Sequence, residues 1–144
     1  MRAVATALLA RRDFASGELA SRLASDGYEA AAVAEVLEDL VRERLLDDAR
    51  FAHNFVVYHA GRGQGPLRIG ADLRRHGVAD DLIDRALAAG TDWHAQARRA
   101  RVAKFGARPP ASWAEKARQG RFLQYRGFSS DHIRAATGAD PELE

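Results

Sequence analysis

Apolar residues recur along this chain with the spacing of helices. Val33, Val36, Leu37, Leu40 and Val41 follow the i, i+3, i+4, i+7, i+8 pattern of one helical stripe, and Leu82, Ile83, Ala86 and Leu87 repeat a shorter form of it. No useful stretch alternates with a period of two, so no strand is predicted. Helix starts are marked as well: Ser112 with Glu115 makes a capping box, Pro66 suits a first helical position, and Ser16 and Ser129 are good N-caps. Further helices are expected over 4–12, 48–60 and 92–105. In the second of these Phe51, Phe55 and Tyr58 share a face, and in the third Val102 and Phe105 do.

The helices fall into a repeat. At a period of 50 residues Gly27, Gly77 and Gly127 coincide, each preceded at four residues by Leu23, Leu73 or Leu123 and followed at once by Tyr28, Val78 or Phe128. Six residues after each Gly stands Val33, Ile83 or Ile133. The columns have a mechanism. A Gly just past a helix end takes the left-handed conformation cheaply, and the leucine before it then meets the apolar residue after it in a Schellman cap. Each unit becomes a three-helix module too small to be comfortable alone, so neighbours should bury faces against one another. The expected architecture is all-α: tandem three-helix repeats over 1–47, 48–90 and 91–144, the last with a short C-terminal tail, stacked into an elongated, curved chain. Gln119 stands in the column of Leu19 and Ile69, and Thr137 in that of Leu37 and Leu87, so the third unit is expected to be the loosest.

Charge changes this picture more than composition does. The 144 residues contain no cysteine, which excludes disulfides, thiolate metal sites and cysteine nucleophiles. The apolar run over 3–10 is far short of a bilayer span, and with Arg11-Arg12 after it and only Arg2 before it, it reads as a helix and not as an export signal. The net charge of +2 conceals a gradient: the first unit carries −3, the second +1 and the third +4. Twenty of the 22 basic residues are Arg, which suits carboxylate or phosphate recognition and equally reflects a compositional bias. Within 98–126 Arg98, Arg99, Arg101, Lys104, Arg108, Lys116, Arg118, Arg121 and Arg126 face only Glu115, with Phe105, Trp113, Phe122 and Tyr125 interspersed. Such a run exceeds ordinary surface and points to binding of phosphates or of an acidic protein. Trp113 and Phe122 are themselves expected in the core of the third unit.

Catalysis finds little support. Asp47-Asp48 and Asp80-Asp81 are adjacent, so on a helix they diverge by about 100° and read as charges at helix starts. His53 and His59 lie off one face, and no metal-binding spacing accompanies them. The Gly61–Pro66 segment follows a helical pattern and no strand, which rules out a P-loop or dinucleotide fold. It is a flexible connection or, with Arg62 and Arg68 beside it, a holder for one phosphate or acidic side chain. No catalytic residue, metal or cofactor is expected.

The motifs carry a resemblance. Arg11-Arg12-Asp13-Phe14-Ala15-Ser16-Gly17-Glu18-Leu19, Leu46-Asp47-Asp48-Ala49-Arg50-Phe51-Ala52, Gly65-Pro66-Leu67-Arg68-Ile69 leading to Leu73 and Gly77-Val78, and Arg121-Phe122-Leu123-Gln124-Tyr125-Arg126-Gly127-Phe128 resemble the successive motifs of the bacterial RecX regulatory proteins. The likeness runs from about residue 7 to 137, in order and at the right spacing. Asp72 stands where the family often has Glu and Gly120 where it often has Ala, and almost nothing precedes the first motif. The resemblance implies tandem three-helix repeats and a cytoplasmic, non-enzymatic modulator, usually an inhibitor, of the RecA recombinase. Its partner is then the RecA filament on DNA, with single- or double-stranded DNA as a further partner, and the chain is expected to act as a monomer. The surface expected to face filament or DNA comprises Arg62, Arg68, Arg74, Arg75, Arg98, Arg99, Arg101, Lys104, Lys116, Arg118, Arg121 and Arg126. The alternative is a helical module that binds DNA directly through backbone phosphates.

Overall fold

The computed structural model describes residues 1–138, so the short tail expected after the third unit, over 139–144, lies outside the described residues. Among those residues there are nine helices and no strand. The helices are α1 (Arg2–Arg11), α2 (Ser16–Ser25), α3 (Ala30–Arg42), α4 (Asp48–Gly61), α5 (Pro66–Arg75), α6 (Asp80–Ala88), α7 (Trp93–Phe105), α8 (Trp113–Tyr125) and α9 (Ser130–Thr137). They form three successive triplets, as the all-helical repeat requires.

Local chemistry sets the helix ends. Gly27, Gly77 and Gly127 have φ of 95°, 84° and 98°. The residue after each donates its N–H to the carbonyl of Leu23, Leu73 or Leu123 at 3.1–3.2 Å, which is the long bond of a Schellman cap. All three leucines are fully buried. Asp47 accepts the Arg50 N–H and Ser112 that of Glu115, each capping its helix. The Glu115 carboxylate reaches back to the N–H of Ala111, one residue before the cap. Ser16 corrects the expectation that it is an N-cap. Ala15 holds that place, while Ser16 opens α2 and donates its N–H and hydroxyl to Asp48 Oδ1 at 2.8 and 3.0 Å, tying the second unit to the first.

Three apolar cores follow one another. The first gathers Ala5, Leu8, Phe14, Leu19, Leu23, Val33, Leu40 and Leu46. The second is built around Phe51, Val56, Ile69, Leu73, Val78 and Ile83 and takes in Ala15 from the first unit. The third is smallest among the described residues: Ala97, Ala100, Leu123, Phe128 and Ile133. Trp93 packs against both the second and third cores, and its indole N–H donates to the Leu87 carbonyl at 3.0 Å.

Several expected faces turn out differently. Trp113 is 58% exposed and does not enter the third core, whereas Phe122 packs against it half-buried. In α7 the buried face is Ala97, Ala100 and Arg101, with Val102 turned outward. In α4 it is Phe51, Ala52, Val56 and Ala60, with Tyr58 outward. Alanines make up part of the buried face in both helices.

Candidate anion-binding cleft between the second and third repeats

The second and third repeats meet backbone to backbone. The Gly65 N–H donates to the Arg126 carbonyl at 2.8 Å and the Leu67 N–H to the Gly127 carbonyl at 2.9 Å. A Cβ on Gly65 would lie 2.4 Å from the Gly127 carbonyl carbon, so only glycine allows the start of α5 to seat on the end of α8. This approach fixes Arg126 beside the α4–α5 turn that carries Arg62.

Between the repeats opens a cleft of about 530 Å³ lined by Arg62, Arg99, Lys104 and Arg126, together with Gln96, Phe122 and the Ala60–Gly63 turn. Among the described residues no carboxylate lines it. Aromatic rings position the cations. Arg126 lies 5.4 Å and Lys104 5.8 Å from the Phe122 ring centre, within cation–π range. Arg62 donates to the Tyr58 hydroxyl at 2.9 Å. Arg68, at the rim, lies 5.9 Å from the Tyr125 ring. The field registers on His59, half-buried on α4: burial, followed by the positive charges of Arg62 and Arg68, holds its imidazole below the usual histidine range.

The structure sorts the twelve residues expected on the binding surface. Arg62, Arg99, Lys104 and Arg126 converge on the cleft, with Arg68 adjacent. Arg98, Lys116, Arg118 and Arg121 lie on α7 and α8 outside it, Arg118 stacked 5.6 Å from the Phe105 ring. Arg74 pairs with Asp80 at 2.9 Å and Arg75 with Asp72, so each already has an acid. Arg101 is a correction. It is 6% exposed, and its guanidinium donates to the Arg108 carbonyl at 3.3 Å, so it braces the loop after α7 and presents nothing to a partner. The sequence pattern groups Tyr58 with Phe51 and Phe55 and not with the cations, although its i, i+4 spacing to Arg62, the residue that caps α4, could have flagged the contact.

Among the described residues no group of three His, Cys, Asp or Glu side chains is placed to hold a metal. Nor, among those residues, is any helix long and apolar enough to cross a membrane.

Fold and cleft together define a helical-repeat protein with an uncompensated basic joint. Comparison with known proteins gives the family. Residues 47–87 match the second three-helix domain of RecX and residues 91–137 the third. The regulatory protein RecX of Halorhodospira halophila is 50% identical over 143 residues, covering 99% of this chain and 89% of the relative. That of Pseudomonas fluorescens is 41% identical over 134 residues, covering 92% and 86%. The crystal structure of RecX from Lactobacillus salivarius superposes with a TM-score of 0.83 over 99% of this chain and 95% of that one, at 19% identity, and so shares the fold. The chain belongs to the RecX family of regulatory proteins.

Proposed function

We propose that this protein is a non-enzymatic modulator of the RecA recombinase that binds the RecA–DNA filament. In this reading it curbs ATP hydrolysis, strand exchange and co-protease activity in recombination, repair and the SOS response. It acts in the cytoplasm as a monomer, without a cofactor. Membership of a family of regulatory proteins supports the reading at the level of the whole chain. The observation that carries it to a surface is the cleft between the second and third repeats, where four cations converge and, among the described residues, no acid joins them. A nucleoprotein filament offers carboxylates and phosphates, and planar guanidiniums suit both. Direct contact with DNA phosphates, the alternative that the charge run raises, uses the same cleft and is compatible with filament binding.

The test is ATP hydrolysis by RecA assembled on single-stranded DNA. Added at a stoichiometric ratio, the protein is expected to slow hydrolysis several-fold. An unchanged rate at stoichiometric excess would remove the reading.

A further inference from the structure

The two junctions between repeats use the same columns with different charges. At the first junction Glu18 is the centre. Its carboxylate accepts two hydrogen bonds from the Arg12 guanidinium, each 3.1 Å, and lies 3.0 Å from His76 Nδ1. Burial raises the Glu18 pKa, but Arg12 and then His76 outweigh it and hold the carboxyl below its usual range. Fifty residues on, the same three columns are Arg62, Arg68 and Arg126. The backbones correspond too. The end of α5 at Gly77 meets the start of α2 at Gly17 and Glu18, as the end of α8 at Gly127 meets the start of α5 at Arg68. Where the first junction places an acid between two bases, the second places a third base. Among the described residues none of Arg62, Arg68, Arg99, Lys104 and Arg126 has a carboxylate partner.

We propose that this second junction is a seat for the backbone of single-stranded DNA, one phosphate taking the position that the Glu18 carboxylate holds at the first. The charge count favours a polyanion. A single carboxylate would leave most of the five cations crowded and uncompensated, whereas a strand brings a charge with every nucleotide. The flanking rings favour an unpaired strand. Tyr58 and Tyr125 are 57% and 77% exposed, each is attached to a cation of the seat, and each offers a ring on which an unpaired base can stack. A duplex keeps its base faces covered. The proposal rests on the filament-modulator reading only in taking the strand to be the one that RecA coats.

The experiment is fluorescence anisotropy of a labelled oligothymidylate of about 20 nucleotides, without RecA, over a salt series. Three to five phosphate contacts should give a log–log salt slope of about −2 to −3.5. The decisive variant is Arg68→Glu, which rebuilds the Glu18 arrangement and fills the seat from within. It is expected to keep or raise the melting temperature while weakening binding at least tenfold. Arg62→Glu, at an exposed position, repeats the test without relying on the fold around Arg68. Arg85→Glu, exposed on α6 and remote from the cleft, should change binding less than twofold. Equal loss with Arg85→Glu would reduce the effect to net charge and overturn the seat. So would tighter binding of a duplex of the same length, or polyglutamate that competes as well as the oligonucleotide at equal charge. Slowed RecA hydrolysis without oligonucleotide binding would sink the seat and leave the proposed function standing; oligonucleotide binding without slowed hydrolysis would do the reverse.

Discussion

Gly65 has an ordinary φ of −90°, so nothing in its own backbone demands glycine; the demand comes from Gly127 across the junction. Gly65→Ala should therefore cost roughly 2–4 kcal/mol by driving the repeats apart, in the range of overpacked cores or above. Gly61→Ala, where a Cβ meets nothing within 4 Å, should be neutral or slightly stabilising. Urea unfolding of the two variants measures the contrast, and equal stabilities would mean that the junction opens freely. His59 gives a pH effect of definite sign. Burial, Arg62 and Arg68 push its pKa below the usual histidine value, so the folded state prefers the neutral ring. That preference stabilises the fold fully above the unfolded value and is lost as pH falls through the lowered folded one. His132, held down by burial and by His94 across a T-shaped contact, acts in the same direction. Melting temperature should fall between about pH 7 and pH 5, and His59→Gln should reduce the drop.

At the level of helices, the legible features were the local ones. The Leu–Gly–apolar columns fix a cap by contacts within six residues, so sequence alone placed all three Schellman ends and with them the period of the fold. The faces of α4, α7 and α8 were less legible. Which side of a helix is buried depends on how closely its neighbour approaches, and at α7 that approach is set by Ala97 and Ala100, whose small size gives a weak periodic signal. The sequence pattern alone accordingly points Trp113 to the core and Arg101 to the surface, each the reverse of what the structure shows. The cleft was half legible: the cations were found as a run, but their convergence needs the Gly65–Gly127 approach, a contact between residues 62 positions apart. Gln119 shows where the third repeat departs from its siblings. In a column filled by Leu19 and Ile69 it is 5% exposed, and its carbonyl oxygen has no hydrogen-bond partner among the described residues. Gln119→Leu should remove that penalty and stabilise the protein by about 1–2 kcal/mol, read as a higher urea midpoint at an unchanged slope.

Across the whole molecule, the three cores are threaded in a line and not merged. Ala15 and Trp93 are the residues that carry one core into the next. Charge runs along the same order, from −3 in the first unit to +4 in the third, so the basic joint lies away from the acidic end. That arrangement makes a prediction about size. A compact globule of this length has a radius of gyration near ~14.5 Å, and three units of some 45 residues set in a row exceed that clearly, reaching about 22 Å where they only touch. Solution scattering distinguishes the two, and a value at the globular figure would mean that the first and third units fold back on each other. The Gly65→Ala variant sharpens the measurement. If the second and third repeats are held together only by the close seating of α5 on α8, the substitution should raise the radius while leaving helix content by circular dichroism unchanged. The basic cleft would lose its shape with it, so the proposed binding to the RecA filament should weaken although every cation is still present. A variant that expands yet slows RecA hydrolysis as well as the wild type would show that the cations act as a diffuse charge, independent of the joint that gathers them.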